Sequence, residues 1–320
     1  MTINVGFIGA GAMCNQVHYP SVAKHAGSRI AAICDLSEKA REGTADKYGV
    51  KARYSEYRKM LEREKLDAVY VVMPPQLLKP IILDCLAAGK HIFTEKPLGI
   101  SAADARELAG AAAQAKRITA VAFNRRFAPV LAEARRRIEA RGPVNTVMAE
   151  FHKDMKENYY PEARIPIIRL DIIHVVDVLS WIGGEVAGCH SYVDKLQGDD
   201  WLNNFNALIR FKRGTVGMLT ANRKNGNRYE RFELHGPGIS AYVRAPETAE
   251  IWETGKKEPL RLSGKELCVT GDSRVTYGYE AENFHFLDCV AQGKEAQNSF
   301  AEAVLSQELA ERIENGSLGA

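Results

Sequence analysis

Asn4-Val5-Gly6-Phe7-Ile8-Gly9-Ala10-Gly11-Ala12-Met13-Cys14 opens the chain with a short apolar run, a Gly-x-Gly turn and the start of a helical stretch. The run reads as a buried strand, and the glycines fall where the backbone must turn sharply into a helix from Ala12 to His25. A second apolar run, Ile30-Ala31-Ala32-Ile33-Cys34, ends in Asp35. An acid about 20 residues beyond such a turn is the arrangement of a dinucleotide-binding βαβ unit. There, Gly9 makes the turn and Gly11 lets a pyrophosphate approach the backbone, while the helix start at Ala12 and Met13 offers N–H groups to the phosphates. Asp35 would accept from a ribose 2′-OH and repel a 2′-phosphate, which favours NAD. Lys39 and Arg41 follow closely enough to keep NADP as the second option.

Cys14 stands where the fingerprint has its third glycine, which allows close helix–strand packing. Two readings follow: a small buried packing residue, or a thiol made reactive by the helix N-terminus.

Strand and helix patterns alternate through Phe123. A helix from Ser37 to Tyr48, capped by Ser37, precedes an extended stretch at Arg53-Tyr54, and Ser55 opens a helix through Arg63. Asp67 to Val72 reads as a strand halted by Pro74-Pro75. The next helix stops at Gly89, His91 to Thr94 is a strand, Ser101 to Ala115 a helix and Ile118 to Phe123 a strand. Short βα units require a parallel sheet with helices on both faces, whose ligands bind at the carboxyl ends of the strands. Gly9, Asp35, Met73, Glu95 and Asn124 fall at those ends.

Beyond Arg141 longer strands are joined by turns. Phe205, Ala207, Ile209 and Phe211 alternate with polar or outward residues, Lys212-Arg213-Gly214 turns, and Thr215 to Ala221 runs back. Glu230 to Leu234, Ile239 to Val243 and Ala249 to Glu253 continue the series. Helices are expected over Leu170 to Trp181, Tyr279 to Gln292 and Phe300 to Asn315. An α/β domain over 1–122 and an α+β domain over 123–320, with a large open, mainly antiparallel sheet, accommodate these patterns. Apolar side chains on the open face are expected to join copies into a homodimer or homotetramer.

The 320 residues carry a formal net charge of +3, too near balance to imply nucleic acid as a partner. Arg135-Arg136-Arg137 and Arg141 read as a solvated helical face. Six cysteines without CxxC pairs or metal-ligand spacing point to reduced thiols and no metal. No apolar stretch approaches the roughly 20 residues of a membrane span. With no signal-peptide pattern, the expectation is a cytoplasmic protein.

Ala88-Gly89-Lys90-His91-Ile92-Phe93-Thr94-Glu95-Lys96-Pro97 then adds a lysine at a strand end. Together with Gly9-x-Gly11, Phe123-Asn124-Arg125-Arg126-Phe127, His174-x-x-Asp177 and Glu282-Asn283-Phe284-His285-Phe286, it resembles the Gfo/Idh/MocA family of oxidoreductases across nearly the whole chain. The resemblance implies a Rossmann domain, a substrate-binding open-sheet domain, and hydride transfer between a nicotinamide and a secondary hydroxyl or ketone of a sugar, inositol or sugar derivative. Lys96 would bind or deprotonate the hydroxyl, His174 would relay the proton or donate a hydrogen bond, and Asp177 would orient His174. Met73 and Pro74 would wall the nicotinamide, with Glu95 and Asn124 beside it, and Pro97 would carry a cis bond.

The family places an aspartate four residues before the helix histidine, where this chain has Leu170; Asp171 lies three before. On a regular helix Asp171 would be rotated about 60° from the usual position, either reaching the substrate or capping the helix. Leu78 also replaces a frequent histidine. These departures motivate an alternative, a catalytically degenerate dinucleotide-binding regulator of the same fold. Arg164, Arg169, Lys153, Lys156, Tyr159 and Tyr160 form either an anion clamp or a solvated loop.

Overall fold

A computed structural model describes residues 2–156 and 164–316. The chain divides into two compact units, one of Met1–Ala122 with Tyr279–Val304 and the other of Phe123–Gly278 with Leu305–Ala320.

The first unit is built on six strands, β1 (Ile3–Ile8), β2 (Ser28–Cys34), β3 (Ala52–Tyr54), β4 (Ala68–Val71), β5 (His91–Thr94) and β6 (Thr119–Val121). They pair in parallel in the order β3-β2-β1-β4-β5-β6. This is the doubly wound order, with the strand direction of growth reversing between β1 and β4. Val5, Phe7, Tyr70 and Phe93 are fully buried from β1, β4 and β5, as expected of strands covered on both faces. Their rings stack, Phe7 on Tyr19 at 4.0 Å and Tyr70 on Phe93 at 4.6 Å. The helix Tyr279–Gln292 adds Phe286 and Leu287 to this core. Edge strand β6 is satisfied by the later chain: Val121 N–H donates to the Asn298 carbonyl at 2.8 Å, and the Asn298 amide donates back to the Val121 carbonyl at 2.7 Å.

Local signals account for the helix ends. Ser37 and Ser101 cap the helices Glu38–Tyr48 and Ala102–Ala115, accepting from Ala40 N and Asp104 N. The helix Pro75–Ala87 ends before Gly89, whose φ is +73°. The helix expected from Ala12 to His25 is interrupted by a π-turn over Cys14–His18, followed by an α-helix over Tyr19–Lys24.

The second unit holds eight strands, β7 (Thr146–Asp154), β8 (Val186–Asp194), β9 (Asn204–Phe211), β10 (Val216–Asn222), β11 (Lys224–Gly236), β12 (Ile239–Arg244), β13 (Thr248–Glu253) and β14 (Leu260–Ser263). Their order is β14-β13-β12-β11-β7-β10-β9-β8, antiparallel except for the β7–β10 pair. One face buries Val147, Phe151, Phe205, Ile209, Phe232 and Val243 against the helices Pro129–Glu139 and Ile173–Gly183. The other follows the register through Leu208, Met218 and Met148, then Glu233 and Tyr242. On it Tyr192, Leu208, Met218, Tyr242 and Trp252 are exposed.

The helix expected from Leu170 to Trp181 is broken. Ile167–Leu170 forms one turn, Asp171 leaves helical geometry at φ −122°, and the long helix starts at Ile173. The regular-helix rotation argued for Asp171 therefore does not apply. Arg135, Arg136 and Arg137 pair with Glu139 and Glu133 along their own helix, but only Arg136 is exposed as a solvated face requires; Arg135 lies over the Trp181 ring at 3.9 Å.

Candidate functional site

In the first unit the expected cofactor residues follow the ends of adjacent parallel strands: Gly9 after β1, Asp35 after β2, Met73 and Pro74 after β4, Glu95 and Lys96 after β5. Gly9 has φ +113°, and a Cβ there would lie 2.3 Å from the Val72 carbonyl oxygen. Tyr19 O–H donates to the Gly9 carbonyl at 3.1 Å, pinning the turn from below. Gly11 is exposed and a Cβ on it would meet nothing within 4 Å, so its surface is open to a ligand. Ala12 and Met13 form the first helical residues. This loop fits a dinucleotide, since it combines an enforced turn, an uncovered glycine and a helix start.

Asp35 has a second duty. Its carboxylate accepts from Ala10 N at 2.7 Å and from Ser37 N at 2.8 Å, tying the glycine turn to the next helix. Arg41 donates to the Asp35 carbonyl at 3.0 Å. Cys14 is fully buried, and burial, with the Glu95 and Asp35 carboxylates nearby, pushes its thiol well above the ordinary value. The reactive-thiol reading is thereby set aside in favour of packing.

The Lys96–Pro97 peptide is cis, and Lys96 is half-buried. Glu95 points into the fold: its Oε1 lies 3.1 Å from His18 Nε2, and its Oε2 accepts from Lys96 N at 3.1 Å. Burial pushes the Glu95 carboxyl up, but the His18 hydrogen bond and charge, with Lys96, outweigh it and hold it below the ordinary carboxylate value. The sequence reading passed over His18. Its signal was faint, a single histidine within the first helix.

The second unit contains the other candidates. Asp171 and His174 are almost fully buried. The Asp171 carboxylate lies 2.9 Å from both Lys153 Nζ and Arg223 Nη2, an ion-paired group at a helix break. Asp177, expected to orient His174, instead accepts from Arg126 at 2.7 and 2.8 Å and from Ser306 at 2.8 Å. Asn124, expected beside the cofactor, is fully buried with its amide committed to the fold. It donates to the Tyr277 carbonyl at 2.8 Å and accepts from Arg125 at 2.9 Å.

Two basic residues of the supposed anion clamp have structural partners as well. Arg169 pairs with Glu311 and Glu314, and Lys153 with Asp171. Arg164 has φ +50°, and Lys156 is exposed. Tyr159 and Tyr160 lie outside the described residues. Among the described residues there is no cluster of three or more His, Cys, Asp or Glu able to hold a metal, and no helix is long and apolar enough to cross a membrane.

Residues 3–123 match the sequence profile of the GFO_IDH_MocA family, described as an oxidoreductase family with an NAD-binding Rossmann fold. That stretch is similar to the NAD-binding domain of the Gfo/Idh/MocA oxidoreductases. It is 25% identical to the inositol 2-dehydrogenase of Salmonella typhimurium (strain LT2) over 58% of this chain and 56% of that protein. The chain thus spans about half the length of that curated relative. The inositol 2-dehydrogenase of Rhizobium meliloti (strain 1021) is 26% identical over 97% of this chain and 96% of its own. Among solved structures, a levoglucosan dehydrogenase in complex with NADH has a TM-score of 0.85 at 20% identity, covering 98% of this chain and 96% of that one. At that identity the likeness speaks for the fold, and it extends over both units of the chain.

Proposed function

We propose that the protein is an NAD-dependent dehydrogenase, with NADP as a second cofactor option, acting on a secondary hydroxyl of a polyol, sugar or sugar derivative, or on the corresponding ketone. The observation that carries this reading is Lys96 at the carboxyl end of β5, in the same sheet whose β1 and β2 ends present the Gly9 turn and Asp35. The inositol 2-dehydrogenase relatives support the substrate class.

NAD held by these residues would supply the hydride acceptor. Gly9, Gly11 and the helix start at Ala12 and Met13 would hold the pyrophosphate, Asp35 the adenosine ribose, and Met73 with Pro74 the nicotinamide side. Lys96 would hydrogen-bond the substrate oxygen and take its proton as the hydride departs. His174 is proposed as a proton relay or hydrogen-bond donor. Asp171, held as an anion between Lys153 and Arg223, would serve by fixing these cations rather than as a base.

Tyr192, Leu208, Met218, Tyr242 and Trp252 support a homo-oligomer joined through the open sheet face, because a lone apolar row of this extent is unfavourable in water. Size measurement by light scattering, with Leu208→Glu as the control, tests this.

The decisive experiment measures reduction of NAD and NADP across polyols, sugars, sugar phosphates and nucleotide sugars, with Lys96→Ala alongside. Turnover that falls by about 10²–10⁴ in the variant, with NAD affinity retained, is expected. NAD binding with no turnover on any substrate would favour the regulator reading, and unchanged turnover in Lys96→Ala would remove the lysine from the mechanism.

A further inference from the structure

His18 is fully buried, yet both of its ring nitrogens face oxygen. Nε2 lies 3.1 Å from Glu95 Oε1, and Nδ1 lies 3.2 Å from Asn283 Oδ1. The Asn283 amide cannot be turned round, because its Nδ2 donates to the Tyr279 carbonyl at 2.7 Å and a reversed amide would set two acceptors together. Nδ1 must therefore carry a proton. A neutral ring would then present a bare Nε2 lone pair to Glu95, which is satisfactory only if Glu95 is itself protonated. The second Glu95 oxygen already accepts the Lys96 N–H at 3.1 Å, as a carboxylate oxygen does. A ring with protons on both nitrogens would satisfy the Glu95 and Asn283 oxygens at once.

The ring is packed among aromatic and titratable neighbours. The Phe93 ring is 5.1 Å from the imidazole and the Tyr70 ring 6.0 Å. Burial keeps the Tyr70 phenol and the Cys14 thiol neutral, and Glu282 on the helix Tyr279–Gln292 acts on Tyr70 in the same direction. Lys96, next in the chain, acts on Glu95 as a positive charge. His18 closes the π-turn over Cys14–His18, a local insertion of the kind often found at functional sites.

We propose that His18 is a positioning residue whose positive charge cancels that of Glu95, so that the carboxylate fixes the Lys96 backbone without locking the Lys96 side chain in its ammonium form. This rests on the reading of Lys96 as the base. A lysine can take a hydroxyl proton only after losing its own, and an uncompensated carboxylate beside it favours the protonated form. The buried histidine lets one glutamate anchor the main chain while contributing little net field at the reactive amine.

The first test needs no turnover. ¹⁵N NMR of the full chain with labelled histidine should show, at pH 7.5, one imidazole with both nitrogens protonated, absent from His18→Gln; a neutral tautomer at His18 overturns the proposal. In Glu95→Gln the same signal should vanish, since the imidazolium loses its counter-ion, and its persistence would equally overturn the pairing. That variant serves if His18→Gln does not fold. The second test is the pH dependence of kcat. The acid limb of His18→Gln should move up by roughly one pH unit, with NAD affinity unchanged, and His18→Gln/Glu95→Gln should bring it back. A wild-type chain that turns over and a limb that stays in place sink the proposal alone. A wild-type chain with no turnover on the panel sinks the dehydrogenase reading, and the catalytic half of the proposal with it.

Discussion

Asp177 and Arg126 form a two-pronged ion pair at 2.7 and 2.8 Å in which neither side chain reaches solvent. Ser306 donates a third hydrogen bond to the same carboxylate at 2.8 Å. Removing one member of such a pair strands a buried charge, so Asp177→Ala should destabilise the chain by about 3–5 kcal/mol. Urea unfolding checks this. Arg126→Met/Asp177→Leu, which removes both charges, should recover most of the loss, whereas an Asp177→Ala variant with an unchanged midpoint would show that the pair carries no stability.

Glu230 gives the fold a defined acid sensitivity. Its carboxylate accepts from Arg125 at 2.9 and 3.1 Å. Burial would raise its carboxyl, but the Arg125 charge and hydrogen bonds, with Arg228 beyond, hold it below the ordinary carboxylate value. As pH falls, the unfolded chain binds the proton first, near the free glutamate value of about 4.3. The contribution is therefore whole above that pH and is lost as pH drops towards the folded-state value. Urea midpoints at pH 7, 5, 4 and 3.5 should fall more steeply for wild type than for Glu230→Gln. Glu95, shifted in the same direction, should leave a residual slope in the variant.

Asp35 predicts a mixed phenotype. In Asp35→Asn the single amide oxygen can keep the bond to Ala10 N or to Ser37 N, but not both. Loosening of the glycine turn should weaken both nucleotides. Loss of the charge should in addition shift the NAD:NADP affinity ratio towards NADP by roughly tenfold, or about 1.4 kcal/mol. Titration with each nucleotide separates the two effects; an unchanged ratio would leave Asp35 only its structural role.

The parts of this architecture that follow from short-range chemistry could be read from the sequence. Apolar runs, glycine stops and the serine caps at Ser37 and Ser101 specify the parallel sheet, because each acts within a few residues. Partners far apart in the chain left no such mark: Arg126 with Asp177 and His18 with Glu95 are chosen by packing, and nothing near either histidine or arginine announces its mate. The break at Asp171 was hidden in the run Ile167-Ile168-Arg169-Leu170-Asp171-Ile172-Ile173, which contains neither glycine nor proline. The start of β11 was hidden for another reason. Lys224-Asn225-Gly226-Asn227-Arg228 is half-buried to exposed and polar, and only Lys224 of it pairs with β7, opposite Asp154, before the register shifts to Tyr229 opposite His152, so no alternating apolar face marks it.

Gly9 and Gly11, two residues apart, should separate fold from cofactor binding under the same one-methyl substitution. Gly9 has φ +113°, and an added Cβ would press on the Val72 main-chain oxygen at 2.3 Å. That oxygen belongs to the backbone and cannot swing aside, so Gly9→Ala combines a disfavoured dihedral with displacement of the segment after β4. It should cost about 2–4 kcal/mol of stability. A Cβ on Gly11 meets nothing within 4 Å, so Gly11→Ala should unfold at the wild-type urea midpoint. Its methyl would instead occupy the space through which the pyrophosphate reaches the backbone, and NAD affinity should fall by at least tenfold, or about 1.4 kcal/mol. Unfolding midpoints and NAD titrations of the two variants together decide the matter. Full NAD affinity in Gly11→Ala would move the pyrophosphate away from this turn, and an unperturbed midpoint in Gly9→Ala would mean that the turn can relax where its contact with Val72 says it cannot.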